Sequence, residues 1–251
     1  MIKFFRKIRQ NLLSEGKTGK YLRYAVGEII LVVIGILIAV QINNWNTNRK
    51  NKENIKVYYG QILQDLEKDE SLMIIGNRMI DSFFKRLTLY QESFKKNEIS
   101  LWAATTEIGK VFSAEAIRGS NFEAHTNTIN TLLTTGDIKM IPVDIRNMLL
   151  DFKYKQAGLI DYLKTQSHLI STSSLETQKL YGGPDLPTRV GKHPELINYY
   201  SDQKVALQSL LELESLLYEQ ALLLKNAKER SEDLILDMHS IKDILNSKLN
   251  E

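Results

Sequence analysis

The chain has 251 residues, 43% hydrophobic and 25% charged, enough for one large domain or two small ones with a buried core. It contains no cysteine, which excludes disulfides and thiolate metal sites. Residues 1–52 hold ten Lys/Arg against two acidic residues, a net charge of +8, whereas the remainder carries −5. A basic end on a mildly acidic body argues against nucleic acid as a partner and favours anionic lipid at the N-terminus.

Residues 1–24 are predicted to form a basic amphipathic segment in the cytoplasm. Apolar and basic side chains follow helical spacing in residues 2–13, so that a helix here would lie flat on the anionic cytoplasmic leaflet of the membrane. The candidate lipid-surface residues are Lys3, Phe4, Phe5, Arg6, Lys7 and Arg9. The alternative is a basic tail without fixed structure.

Residues 25–45 are predicted to form a transmembrane helix that stays in place as a signal anchor. The apolar run 25–42 contains a single charge and would extend about 27 Å as a helix, close to the hydrocarbon thickness. A cleaved signal peptide is the competing interpretation, but no A-x-A cleavage pattern follows the run. The excess of Lys/Arg before the span predicts a cytoplasmic N-terminus. The candidate interface anchors are Tyr21, Tyr24 and Trp45.

Glu28 is the one charge in the predicted span and is therefore a candidate functional residue. It would lie about 6 Å below the cytoplasmic edge of the span. There it either reaches Arg23 or Lys20 in a structural role or couples an ion gradient to work outside the membrane. Three small residues on roughly one side of the span permit close helix approach and dimerisation, or are simply common span residues. They are Gly27, Gly35 and Ala39.

Residues 46–251 are predicted to form a periplasmic all-α domain, an up-and-down helical bundle with long helices. Its first helix shows apolar residues at heptad spacing, which is typical of a bundle or coiled coil. The heptad positions are Tyr59, Leu66, Met73, Ile80, Leu87 and Phe94, with Ile62, Phe83 and Tyr90 between them. Asp69 and Gly76 interrupt the second series and favour a bundle wall over a dimeric seam.

The rest of this domain is predicted to contain four more helical segments. They are a short helix at Leu101–Phe112, a helix at Asn121–Thr135 closed by Gly136, a helix from Pro142 to about Lys179, and Glu195–Leu249 with one bend. The last segment carries two apolar stripes: Leu207, Leu210, Leu213, Leu217, Ala221 and Leu224, then Leu234, Met238, Ile241 and Leu245. Five threonines are interpreted as solvated rather than as a ligand surface: Thr126, Thr128, Thr131, Thr134 and Thr135.

The segment from Tyr181 to Pro194 is predicted to be a loop, since it holds three of the four prolines. Its basic residues Arg189, Lys192 and His193 are a candidate partner site, with a simple helix connection as the alternative. The four histidines have no partner at metal-ligand spacing and are interpreted as surface residues. Because no nucleophile elbow or dinucleotide-binding glycine run occurs either, we expect no cofactor, no metal site and no enzymatic activity.

Two runs of the sequence resemble a known family. They are KFFRKIRQNLLSEGKTGKYLRYAVGEIILVVIGILIAVQINNWN and TLLTTGDIKMIPVDIRNMLLDFKY. The first resembles the N-terminus, and the second a recurrent later segment, of an uncharacterised membrane-protein family abundant in Bacteroidetes. The resemblance covers a quarter of the chain and implies a Gram-negative host and a periplasmic domain. It implies no mechanism and no catalytic residue.

Three functions remain open on this basis. The first is a non-enzymatic, membrane-anchored periplasmic scaffold or accessory subunit of an envelope complex, packing against itself as a homo-oligomer or against other subunits. The second is a periplasmic ligand-sensing bundle, which would signal through a partner because its 24-residue cytoplasmic tail has no signalling domain. The third is an ion-coupled subunit that uses Glu28.

Overall fold

The computed structural model describes residues 18–96, 100–112, 124–181, 193–200 and 202–250. Within these ranges the regular structure is helical and includes no β-strand, so the predicted all-α class is confirmed. The chain divides into two compact units, Met1–Val57 and Tyr58–Glu251. The predicted domain limits at residues 25 and 46 stay predictions.

Helix α1 runs from Thr18 to Lys95 and contributes residues to both units. None of the four prolines lies in it, so no proline interrupts its backbone hydrogen bonds. In the first unit, α1 contains an 18-residue window that is long and apolar enough to cross a membrane. None of that window is buried.

In the second unit, the heptad of α1 forms one wall of the core. The buried positions are Tyr59, Ile62, Leu66, Met73, Ile80, Phe83, Leu87 and Tyr90, as the spacing predicts. Phe94 is 41% exposed, so its predicted place in the core is wrong. It lies in the last turn of α1, where its ring packs against that of Tyr90 at a centroid distance of 6.1 Å.

Two short helices follow. Helix α2 spans Leu101–Phe112, as predicted, and the Ser100 hydroxyl accepts a hydrogen bond from the backbone N–H of Ala103 in its first turn. Helix α3 spans Asn127–Thr135, and the predicted start at Asn121 is wrong because residues 124–126 are not helical. Gly136 closes α3 in the left-handed conformation, with φ of 80°, as predicted.

A 3₁₀ turn, Asp137–Met140, leads to helix α4, Val143–Tyr181, which starts directly after Pro142. The predicted helical segment 195–249 is two helices rather than one bent helix: α5, Pro194–Tyr200, and α6, Gln203–Leu249. Asp202 separates them because its backbone is extended and its side chain accepts a hydrogen bond from the N–H of Lys204 at 2.8 Å. The carboxylate thus caps a new helix.

Helix α6 is the centre of the second unit, since both α2 and α4 pack against it. Lys155 on α4 contacts Asp237 at 2.9 Å and Tyr162 contacts Asn226 at 3.2 Å. Because the numbers rise along α4 as they fall along α6, these two helices are antiparallel. The predicted apolar stripe of α6 is buried at Leu210, Leu213, Leu217 and Leu224, and so is the later stripe Leu234, Met238, Ile241 and Leu245. Leu207 is instead exposed and Ala221 is half-buried.

Candidate functional site

The apolar window of α1 carries the predicted intramembrane charge, Glu28. Its side chain is half-buried and lies on a shallow groove of the first unit that is also lined by Ala25, Ile29, Val32 and Val33. The spacing of these residues puts them on one face of the helix. The position of Glu28 fits both interpretations of its role.

The small residues of the window leave open space beside the helix. A Cβ atom added at Gly27 or at Gly35 would meet nothing within 4 Å, and Ala39 is exposed. These glycines therefore have no packing role within the described part of the first unit. The prediction that they allow close approach of another helix is untested.

The predicted interface anchors are only partly visible. Trp45 is exposed, and the guanidinium of Arg49 lies over its ring at 5.6 Å from the centroid. Tyr21 and Tyr24 belong to α1, but their side chains are not among those that the structure describes. The predicted lipid-surface residues lie outside the described residues altogether: Lys3, Phe4, Phe5, Arg6, Lys7 and Arg9.

The predicted partner loop is likewise described only at its end. Arg189 and Lys192 lie outside the described residues. His193 is exposed and precedes α5, where its backbone carbonyl accepts a hydrogen bond from the N–H of Ile197 at 2.9 Å.

One buried polar constellation of the second unit was not predicted. Asp69, on the inner face of α1, is fully buried. Its Oδ1 accepts hydrogen bonds from the backbone N–H of His125 at 2.7 Å and from the imidazole Nδ1 at 3.0 Å. Its Oδ2 accepts a hydrogen bond from Nε2 of the buried Gln156 at 2.7 Å. We call these three residues, Asp69, His125 and Gln156, the Asp69 cluster.

One turn earlier on α1, Asp65 extends the same arrangement. Its Oδ2 accepts a hydrogen bond from the backbone N–H of Thr128 at 2.9 Å, in the first turn of α3. Thr126, the N-cap residue of α3, makes no side-chain capping bond. The N-terminus of α3 is therefore capped by a carboxylate 63 residues away in sequence rather than by its own N-cap side chain.

The Asp69 cluster fixes the orientation of the His125 ring. A carboxylate only accepts hydrogen bonds, so Nδ1 is assigned as a nitrogen that carries a proton. The imidazole is 41% exposed and lies beside a shallow groove of about 500 Å³. The groove is also lined by Gln64, Glu67, Lys68, Ser71 and Leu72. The cluster has a structural role, because Asp69 on α1 accepts hydrogen bonds from both His125, in the turn before α3, and Gln156 on α4.

The structure corrects two interpretations drawn from the sequence. His125 is not a plain surface residue, since it is bonded to a buried carboxylate. His239 is exposed, as predicted for a surface residue, and its Nε2 lies 2.6 Å from Oε1 of Glu70. Thr126 and Thr128 are buried rather than solvated, whereas the three later threonines of α3 are exposed as predicted. The sequence signal for the cluster is Asp69, an aspartate at an otherwise apolar heptad position. The heptad pattern alone indicates only an interruption of the apolar series there.

Polar contacts at three levels connect α1 to the antiparallel α6. They are Glu70 with His239 and Lys242, Asp81 with Lys228, and Tyr90 with Glu214. The hydrogen bond from Lys242 holds the pKa of Glu70 below its usual value. The hydrogen bond to Asp81 raises the pKa of the Lys228 ammonium, and burial together with Glu214 raises the pKa of the Tyr90 hydroxyl. These contacts thus favour the forms present at neutral pH, which are the ionised Glu70 carboxylate, the ionised Lys228 ammonium and the un-ionised Tyr90 hydroxyl.

Residues 28–79 match the model of a family described as a family of unknown function, DUF6090. The match includes most of the apolar window together with Asp65 and Asp69, and it supports an uncharacterised domain in this part of the chain. The comparison with curated proteins gave no match, and neither did the comparison with solved structures. The family resemblance drawn from the sequence is supported to that extent, and its Bacteroidetes origin stays a prediction.

Proposed function

We propose that the protein is a membrane-anchored scaffold or accessory subunit of an envelope complex and has no enzymatic role. In this proposal residues 25–45 cross the inner membrane with the N-terminus in the cytoplasm. Residues 46–251 lie in the periplasm, with their helices arranged as an up-and-down bundle. The protein acts there by holding copies of itself or other subunits.

The observation that carries the anchor is the unburied apolar window of α1. A core helix of a soluble protein would bury such a window against other helices, whereas none of this one is buried. Its side chains are apolar on every side of the helix, which is stable in lipid and costly in water. The surplus of Lys/Arg before the window supports a cytoplasmic N-terminus.

The scaffold role is supported by how the helices of the second unit are fastened to one another. Helix α6 is bonded to α1 at three levels and to α4 at two, through Lys155–Asp237 and Tyr162–Asn226. The Asp69 cluster adds a further connection between α1, α4 and the turn before α3. Many contacts between distant parts of the chain favour one fixed arrangement, as a subunit that positions others requires.

The anchor and its orientation are tested with two C-terminal fusions of the full chain. We expect an alkaline phosphatase fusion to be active, because it folds only outside the cytoplasm, and a fusion to a fluorescent protein that matures only in the cytoplasm to be dark. The chain should also stay in the membrane pellet after alkaline carbonate extraction. A fluorescent C-terminus, or a mature protein that begins beyond Trp45, would contradict the proposal.

A matched pair of arginine substitutions sharpens this test. Val33→Arg puts a charge near the middle of the window, which opposes insertion by about 2.5–3.5 kcal/mol on translocation-based scales, and should lower the carbonate-resistant fraction. Leu236→Arg adds the same charge at an exposed position of the second unit and should leave that fraction unchanged.

The scaffold role itself is tested by gentle detergent extraction and size-exclusion chromatography of the full chain. We expect a homo-oligomer or a stoichiometric complex with other subunits. Recovery of a lone monomer from a well-inserted chain would count against the scaffold while leaving the anchor intact.

A further inference from the structure

The first half of α6 is apolar on two opposite faces. Its inner face is buried in the core through Leu210, Leu213, Leu217 and Leu224. Its outer face carries a second set of large apolar side chains that are 43–67% exposed: Leu207, Leu211, Tyr218 and Leu222. We call these four residues the outer face of α6.

The outer face forms one stripe along the helix. Its residues are separated by four, seven and four positions, which keeps them within one side of the helix over about 22 Å, with Ser215 as the one small polar residue between them. Beyond the stripe, the same side of α6 is mainly polar, with Lys225, Glu229, Ser240 and Asp243 and the single apolar residue Leu236. A helix that is apolar on both sides is normally covered on both sides, and an exposed apolar stripe of this size is typical of an interaction surface.

The charges beside the stripe determine what fits on it. Residues 205–224 contain three glutamates and no Lys or Arg, and Lys204 and Lys225 lie beyond the two ends. Glu214 is engaged by the Tyr90 hydroxyl. Glu212 and Glu219 are seven positions apart, two helical turns, and therefore lie above one another on one flank of the stripe. The stripe thus has an acidic border along one side.

This border argues against two of the three ways to cover the stripe. A second copy would bring a further acidic border, its own Glu212 and Glu219, and no Lys or Arg from its residues 205–224, which is repulsive. An anionic lipid surface would repel the same border. An amphipathic helix with apolar residues at heptad spacing and Lys or Arg along its flank satisfies both the apolar stripe and the acidic border.

We propose that the outer face of α6 docks a basic amphipathic helix of another protein. The inference rests on the proposed scaffold function and names the chemistry of one partner that the scaffold holds. The leucines and Tyr218 provide the buried contact, and Glu212 and Glu219 select the partner by charge.

The test is site-specific photo-crosslinking of the full chain in its native host, with benzoylphenylalanine in place of Tyr218. We expect a light-dependent adduct with a different protein, and mass spectrometry should locate the crosslink in a segment with Lys or Arg beside heptad-spaced apolar residues. The matched control has the crosslinker in place of Asp243, an exposed position on the polar half of the same side, and should give no such adduct.

Charge reversal provides the second arm of the test. In a chain with the crosslinker at position 218, Glu212→Lys with Glu219→Lys should lower the adduct yield by about tenfold, because attraction at two positions becomes repulsion. Glu219 is exposed and Glu212 is half-buried, and thermal unfolding should confirm that the fold is retained. An adduct with twice the mass of the chain, an adduct only with lipid, a crosslinked segment without basic residues, an unchanged yield after charge reversal, or no adduct would each overturn the inference.

Carbonate extraction of the same crosslinker variants separates this inference from the proposed function. A chain that stays in the membrane but fails at position 218 refutes the docking surface alone. A chain that is not anchored refutes the proposed function, whatever happens at position 218.

Discussion

Helix α1 contains two apolar stretches that differ in what surrounds their side chains. In residues 25–42 apolar side chains occupy every side of the helix and none is buried. In residues 59–90 they recur at heptad spacing, and those positions are buried while most of the positions between them are exposed or half-buried. The comparison shows that hydrophobic content alone does not decide burial. The period of the pattern decides whether a helix suits a protein core or a uniform apolar solvent such as lipid.

The largest expected effect is a difference in the free energy of unfolding between a large-to-small substitution in one stretch and the same kind of substitution in the other. Phe83→Ala should lower the free energy of unfolding of the second unit by about 3–5 kcal/mol, because the ring is fully buried and leaves a cavity. Leu31→Ala, at an exposed position of the window, should leave that free energy unchanged. Denaturant unfolding of the detergent-solubilised chain measures both. Equal losses from the two variants would mean that the window also belongs to a core.

The next effect concerns the polar interruption of the heptad. Asp69→Ala should lower the free energy of unfolding by about 1–3 kcal/mol, since the buried amide of Gln156 and the N–H of His125 lose their acceptor. Asp151→Ala removes an exposed carboxylate that lies 3.0 Å from Lys155, and should cost less than about 1 kcal/mol. The same denaturant unfolding compares them. If Asp69→Ala raised the free energy of unfolding, the hydrogen bonds of the cluster would not stabilise the fold.

The smallest expected effect is a pH dependence of stability that arises from Glu70, where α1 contacts α6. Since the folded protein lowers the pKa of Glu70, the unfolded chain binds the proton more readily. The stabilisation is therefore complete above the unfolded value of about 4.5 and is lost as the pH falls through the folded pKa. Thermal unfolding as a function of pH should show this acid-side loss in the wild type and a shallower one in Glu70→Gln. Identical pH profiles would exclude a contribution from this carboxylate.

Local patterns predicted the helices well. The bounds of α2, the glycine that ends α3 and the buried heptad of α1 all follow from residues close together in sequence. The start of α3 and the break before α6 were missed. The first depends on Asp65 and Asp69, which hold residues 125–128 from another helix, and the second on a single aspartate that was not recognised as a cap.

The candidate sites divide in the same way. The apolar window and Glu28 could be located from the sequence because a long apolar run and a single charge within it are local features of one segment. The Asp69 cluster could not, since His125 and Gln156 lie 56 and 87 residues from Asp69 and meet it only after α1, α4 and the turn before α3 have packed together.

The sequence by itself determined that the chain is helical, where its apolar window lies and which positions of α1 are buried, because helical period and side-chain polarity are local properties. Only the tertiary structure decided that Asp69 is a bonded core residue and that α6 has an apolar face left uncovered. Both facts depend on which helices lie beside which, and therefore on contacts that no single segment specifies.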